Sequence, residues 1–444
     1  MQNQSFSGTG LKKTITALTI SALFAASANL HAEPLGELLP NLLENHDKIK
    51  AAKADLEGAG FSTREAKAAW YPSISLTADY GTEEQNKPSA ADTNTSRSSA
   101  ELKLTQLLAD FGATDSSTEI AKTREEKSRI ALEKSKQDLL LDGVTSYMNL
   151  LRAIESLGYA RQSEENIKRQ TGMEQSRVDR GSGFRTDVLQ TKSALAGASA
   201  TRVRAEGTLA TSINRYRTVF RADVADLKTY KRPLFPVQAM PKNLDLAIET
   251  ALNNSLTLKS SNLDLNIARE TVRSKKAKFF PKLELIAHAK RKEDDAGTLG
   301  TKEEYLAKVQ LTYPIFSGGG DSAAHKAAGS QLSAAVNRHD DTRTAIEESV
   351  RNSWQNMLTA RTNADFLRNQ ANISGEFLVL ARKERRLGKR SLLDVLNGET
   401  SYINALSSAV SAETDYALAA YRLLHAMGSL NLELFTEKQA SDKN

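Results

Sequence analysis

Apolar residues recur along this chain in narrow stripes rather than broad faces. Leu140, Val144, Tyr147, Leu151 and Ile154 follow one another at spacings of four and three. Leu209, Ile213, Tyr216 and Phe220 do the same, as do Ile346, Val350, Trp354 and Met357, and the last stripe runs through Val410, Ala417, Ala420, Leu424 and Met427. Seams this thin suit helices that wind about one another, so the pattern predicts coiled coil instead of a thick core. Residues 193–212 are rich in small side chains, which permit close helix approach. A helix from about 113 to 180 would be about 100 Å long at 1.5 Å per residue, and needs neighbours along its whole length. A rod-like coiled coil without a channel satisfies the same periodicity.

Four runs alternate with period two instead. Ile74, Leu76, Ala78 and Tyr80 alternate with Ser73, Ser75, Thr77 and Asp79, and Ala100, Leu102 and Leu104 with Glu101, Lys103 and Thr105. Leu283, Leu285, Ala287 and Ala289 form a third run, and Tyr305, Ala307, Val309, Leu311 and Tyr313 a fourth. Such strands have one apolar and one polar face. At about 9–11 residues they are long enough to cross an outer membrane when tilted. Polar segments near 81–97 and 291–303 read as the loops between them. Two half-buried hairpins on a soluble sheet are the plainer alternative.

Prolines divide the chain. None occurs in 89–232 or 315–444, the regions where long helices are expected, because proline removes a helix hydrogen bond and clashes with the preceding turn. Pro233, Pro236 and Pro241 mark a linker. The halves on either side repeat each other: "AAWYPSISLTADY" (68–80) matches "AKFFPKLELIAHA" (277–289), "LTQLLADFG" (104–112) matches "LTYPIFSGG" (311–319), and "RGSGFRTDVLQ" (180–190) matches "LGKRSLLDVLN" (387–397). One offset of about 207 residues relates them, far longer than a solenoid period, so one large unit is duplicated. The expected division is 1–32 export signal, 33–232 first repeat with a hairpin at about 72–108, 233–243 linker, 244–435 second repeat with a hairpin at about 281–314, and a disordered tail at 436–444. Gly181, Gly183 and Gly388 sit where the long helices must reverse, and glycine supplies the positive backbone angles of such turns.

Composition narrows the choice. Lys12 and Lys13 precede the apolar run Ile15 to Ala28, and Leu30-His31-Ala32 follows it, which reads as an export signal with a mature chain starting near Glu33. No later stretch has 18 consecutive apolar residues, so a membrane-crossing part has to be a closed β-barrel. Four strands are too few, since the smallest single-chain barrels have about eight, so several chains have to share one barrel. There is no cysteine, hence no disulfide framework, thiolate metal site or lipid-bearing cysteine. The six histidines show no metal-ligand spacing, Gly318-Gly319-Gly320-Asp321 lacks the Lys-Ser/Thr of a phosphate loop, and no nucleophile elbow is present. No enzyme activity and no cofactor are expected. The net charge of +6 comes without basic clusters interleaved with aromatics, so nucleic acid is not expected as a partner.

The two "YP/FP" junctions, the strand ends "LADFG" and "IFSGG", and the paired motifs "RGSGFRTDVL" and "LGKRSLLDVLN" together resemble the TolC family of outer-membrane channel proteins over nearly all of 35–430. The resemblance implies a mainly α fold with a small β part, in a homotrimer. Four strands per chain would build a 12-stranded transmembrane β-barrel in outer-membrane lipid, and the helices a long coiled-coil α-helical barrel across the periplasm. It implies docking to a periplasmic adaptor (membrane fusion) protein and an inner-membrane transporter, of ABC type in protein secretion. Asp394 falls where the family places a constriction carboxylate, and threefold symmetry would make it a ring that favours cations. The family's second carboxylate is here Asn397, which weakens such a ring. Asp187 and Arg390 match positions linked between helix pairs to hold the entrance shut, while capping of the following helices is the alternative for Asp187 and Asp394. Arg180, Gly181, Gly183, Arg185, Leu387 and Gly388 lie on the expected docking tips. The tip strings and the missing lipidation cysteine point to type I protein secretion of a large adhesin-like substrate; the alternative is small-molecule or drug efflux.

Overall fold

The computed structural model describes residues 35–436 except 87, 89–91, 225, 228–229 and 234. The export signal expected at 1–32 and all of the expected tail but Thr436 lie outside them. Helices α1 (Leu35–Asn45) and α2 (Asp47–Ala68) lead into strands β1 (Ser73–Gln85) and β2 (Thr93–Ala109), after which α3 (Ala113–Asp179) runs out and α4 (Arg185–Phe220) returns. Past the linker, α5 (Leu244–Asn254), α6 (Leu256–Ala277), β3 (Lys282–Glu293), β4 (Thr301–Thr312), α7 (Gly320–Arg386) and α8 (Leu392–Ala426) follow in the same succession, before a last turn, α9 (Glu433–Thr436). The counterparts match in length: α3 and α7 both have 67 residues, and α4 has 36 against 35 in α8.

Heptad spacing accounts for the long helices. Ala153, Ala160 and Ile167 of α3 are buried seven residues apart, as are Val350, Met357, Ala364, Ala371 and Leu378 of α7. A period of seven keeps one seam facing its partner as two helices wind around each other. At mid-length the packing thickens. Leu39, Leu139, Val144, Tyr147, Leu150, Tyr216 and Leu424 form one cluster from α1, α3, α4 and α8. The segment just ahead of the linker is strapped to it: the Tyr147 hydroxyl donates to the Lys231 carbonyl (2.9 Å), and Arg232 bridges Glu155 of α3 (3.0 Å) and Glu413 of α8 (3.1 Å).

The strands form one antiparallel sheet in the order β1-β2-β3-β4, leaving β1 and β4 as its edges. The register pairs Leu76 with Leu102, Leu102 with Ala289 and Ala289 with Tyr305. Directly paired residues share a face, so the apolar series of all four strands lie together. The strands are longer than the alternation suggests. β1 continues to Gln85, paired with Thr93, and β3 and β4 pair as far as Glu293 with Thr301, inside the segments expected to be loops. Past Tyr80 both faces carry polar residues such as Thr82, Glu83 and Glu84, so the apolar rhythm stops although the backbone ladder does not. At the other end a bulge between Leu107 and Ala109 ends the regular pairing of β2.

Candidate functional site

The two faces of the sheet differ sharply. Ile74, Leu76, Leu102, Val309 and Leu311 stand exposed on one of them. Tyr80 stands past one end of this band on β1, Tyr305 lies within it in register with Leu76, and exposed Tyr71, Phe280 and Tyr313 lie beyond its other end. An exposed apolar band studded with aromatic rings suits a lipid-facing barrel surface. The opposite face is charged and cross-linked between strands. Arg97 meets Asp79 (3.1 Å), Lys290 meets Glu101 (3.1 Å), and His288 lies 3.5 Å from Glu304. Among the described residues no helix is long and apolar enough to cross a membrane, and none of their His, Asp and Glu side chains group as a metal site.

The other candidate lies at the far ends of the helix pairs. Both reversals use the same turn. The Ser182 N–H donates to the Arg177 carbonyl (2.9 Å) and the Gly181 N–H to that of Val178 (2.9 Å). In the second tip Lys389 donates to Glu384 and Gly388 to Arg385, both at 3.0 Å. This paired bonding closes a helix through a residue of positive φ, and Gly181 (73°) and Gly388 (72°) supply it. Gly183 is needed for space, since a Cβ there would lie 2.9 Å from the Arg177 Cβ and the Val178 nitrogen.

The tip charges pair differently from the expected link. Asp187 is not joined to Arg390 within the chain; its Oδ2 is 3.2 Å from Nη2 of Arg385, which also lies 3.3 Å from Glu174. Arg390 turns back to Glu384 (2.6 Å), approaches Asp394 (3.9 Å) and lies over the Phe377 ring (5.3 Å). Its bond to Glu384 raises the Arg390 pKa further above the ordinary value. The cause is position: Arg385 stands in the last turn of α7 against α3 and α4, whereas Arg390 lies beyond the turn, just ahead of α8. Neither aspartate is a cap residue. Ser391 caps α8, accepting the Asp394 N–H (3.1 Å), and Phe184 begins α4 without a side-chain cap. Both aspartates lie in a first helical turn, where the dipole favours an anion. Arg180, Gly181, Arg185, Leu387, Gly388 and Asn397 are exposed.

Sequence reasoning missed Glu174 and Glu399, both buried. Glu174 holds Gln170 (3.0 Å), Arg177 (3.3 Å) and Arg385. Glu399 of α8 accepts from Asn166 of α3 (2.8 Å) and pairs with Arg382 of α7. Their signal was present: each falls seven residues after a buried apolar position, Ile167 and Leu392 respectively.

Comparison with known proteins agrees with this geometry. The family model for outer membrane efflux proteins matches residues 38–219 and 247–429, one segment in each half. The chain is 25% identical over 405 residues to outer membrane efflux protein BepC of Brucella suis, covering 90% of this chain and 87% of that one. It is also 25% identical to outer membrane protein TolC of Escherichia coli (95% and 87% covered) and to alkaline protease secretion protein AprF of Pseudomonas aeruginosa (66% and 62% covered). Among solved structures, the CmeC outer membrane channel of Campylobacter jejuni superposes with a TM-score of 0.77 at 17% identity, covering 92% of this chain and 88% of that one, and so shares the fold. A duplicated helical unit, an amphipathic four-stranded sheet and a family match across both halves lead to one conclusion: the chain belongs to the outer membrane efflux protein family, the TolC-like channels that sit in the outer membrane and extend helices into the periplasm.

Proposed function

We propose that three copies of this chain form one export duct, with twelve strands closing a barrel in the outer membrane and the helices enclosing a periplasmic tunnel. Its tips dock an adaptor carried by an inner-membrane transporter of ABC type. One observation carries this reading: the sheet has a lipid-suited face and a charged face, but among the described residues no strand pairs with its edges β1 and β4. Open edges are not tolerated in hydrocarbon, so further copies have to complete the ring. A second feature supports it. Phe366, Ile373 and Leu380 lie seven apart and exposed on α7, a coiled-coil seam that no other described residue of the chain covers. In such a trimer three copies of Asp394 face one axis, with Arg390 partly neutralising each and Asn397 one turn behind.

Protein secretion is the reading we favour for the cargo, supported by the similarity to AprF, a protease secretion protein, and by the tip sequences. Similarity to BepC, an efflux protein, supports small-molecule efflux as the second reading. Detergent-purified protein is expected to run as heat-resistant trimers and to conduct ions in planar bilayers; a water-soluble monomer would end the proposal. Deleting the gene is expected to abolish surface display of a large adhesin. Unchanged display with heightened drug sensitivity would select efflux instead.

A further inference from the structure

Most charges on the polar face of the sheet are matched in pairs. Asp79 meets Arg97 (3.1 Å), Glu101 meets Lys290 (3.1 Å), Glu284 meets Lys282 (2.8 Å), and Lys292 pairs with Asp295. Two neighbouring rows differ. One joins Ser73, Thr105, Ile286 and Lys308 across the four strands, and the next joins Ser75, Lys103, His288 and Leu306. Neither row holds a carboxylate. Lys103 and Lys308 are exposed and make no ion pair among the described residues. The acids of the flanking rows are already taken, Glu101 by Lys290 on one side and Glu284 by Lys282 on the other.

Folding does not call for both of these charges. A lysine on an edge strand discourages pairing with a wrong neighbour, which accounts for Lys308 on β4. Lys103 lies on β2, between β1 and β3, where no edge needs guarding. Ser75 and Thr105 show that an uncharged polar side chain serves in the same rows. Like charges repeated in every copy repel one another across a shared lumen. A local cost without an internal gain points to a task beyond the fold.

We propose that Lys103 and Lys308 form a basic belt inside the barrel that selects anionic cargo, an acidic polypeptide in extended form. The inference rests on the duct proposed above and adds the chemistry of what passes through it. Two lysines from each of three copies surround one lumen. Rings of lysine draw anions into a pore, and low-dielectric walls concentrate their field. The belt is opposite in sign to the Asp394 carboxylates at the tips, each with Arg390 at 3.9 Å. A polypeptide exploits such a belt better than a small anion does. It presents carboxylates in series, so one enters as another leaves, and the chain stays engaged.

The trimer is placed in planar bilayers between about 20 mM and about 200 mM KCl, a range in which charges still act over about 10 Å. An Asp394→Asn background removes the tip carboxylates. There chloride is expected to permeate at least about twice as readily as potassium. Lys103→Gln with Lys308→Gln should bring the two ions near parity, and Lys103→Arg with Lys308→Arg should keep the preference. Lys302→Gln should leave it nearly unchanged, since that lysine shares its row with Asp79, outside the belt. Polyglutamate of about 50 residues, added on the side of the strand loops, is expected to block the current at least about tenfold more often than polylysine of that length. The double glutamine variant should lose this excess.

Parity of chloride and potassium in the starting channel, or an equal fall on Lys302→Gln, overturns the belt. Chloride preference without polyglutamate blockade overturns the polypeptide cargo and assigns the belt to small anions. Absence of trimers and conductance in the unaltered protein sinks the duct reading instead.

Discussion

Arg385 and Glu174 stand at the ends of two heptad seams and meet there, with Nη2 3.3 Å from Oε1. Arg385 is seven residues past buried Leu378 on α7, and Glu174 seven past buried Ile167 on α3. Each seam thus ends in a charge where its apolar rhythm asks for another aliphatic residue. Glu174 is 2% exposed, so its charge has to be met by hydrogen bonds and cations. Arg385→Ala removes the contact from α7 but leaves Gln170 and Arg177 in place. The expected cost is about 1–3 kcal/mol, seen as faster amide exchange at the tips. Adding Glu174→Gln is expected to recover most of it, because the buried charge is then gone. Equal exchange in the single and double variants would show that the charge was never the issue.

The same arginine reaches Asp187 of α4 at 3.2 Å, which ties the two tips of one chain together. If this pair holds the entrance closed, Asp187→Ala and Arg385→Ala should raise single-channel conductance, and combining them should add little. Arg390→Ala acts on the separate Glu384 contact, so its effect should add to that of Asp187→Ala. A partly exposed pair contributes up to about 1 kcal/mol, a shift in the open-to-closed ratio of at most about fivefold. Full additivity of Asp187→Ala and Arg385→Ala would break the assignment.

Much of this arrangement is legible in the amino-acid sequence. The lipid face can be read because Ile74, Leu76, Ala78 and Tyr80 alternate, and the tips because Gly181 and Gly388 interrupt otherwise helical sequence. Strand ends cannot be read where Thr82 to Gln85 turn polar on both faces, since cross-strand pairing with 93–96 leaves no trace in a single strand. Partners across the duplication are harder still. Glu174 and Arg385 are 211 residues apart, and no local spacing ties an acid in one half to an arginine in the other. Asp187 can therefore be expected at the entrance, yet the family resemblance pairs it with Arg390, five residues from the arginine it actually meets.

His46 supplies a pH dependence far from the tips. It is buried and caps α2, its Nδ1 accepting the Lys48 N–H at 3.1 Å, which requires an unprotonated ring nitrogen. Burial lowers its pKa below the ordinary 6.5, and the Arg221 and Lys48 cations lower it further against the opposing pull of Asp47 and Asp142. The folded state thus favours the neutral ring. This contribution is present above pH 6.5 and is lost as pH falls through the lowered folded value. The loss amounts to about 1 kcal/mol, the usual worth of an N-cap. His46→Asn keeps an acceptor without a titrating proton. Its thermal midpoint should therefore fall less than that of the unaltered protein between about pH 7.5 and about pH 5; parallel falls would rule out the cap as the cause.

Neighbouring positions on β1 test which face of the sheet meets lipid. Leu76 is paired with Leu102 in the exposed apolar band, while Thr77, one residue on, is paired with Glu101 on the charged face. Because strand side chains alternate, one substitution at these two positions samples two different solvents. Leu76→Lys places an ammonium in hydrocarbon at a cost of about 2–4 kcal/mol per copy near the bilayer midplane. Symmetry repeats that cost in every copy, so heat-resistant trimers in the outer-membrane fraction should be lost. Thr77→Lys sets the same ammonium opposite Glu101, which already holds Lys290 at 3.1 Å, in a water-filled lumen where it shifts ion selectivity without hindering insertion. The reverse outcome, with Leu76→Lys inserting and Thr77→Lys failing, would require the sheet to be inside out. Equal insertion of both would mean that neither face touches lipid, which no closed barrel in a membrane allows.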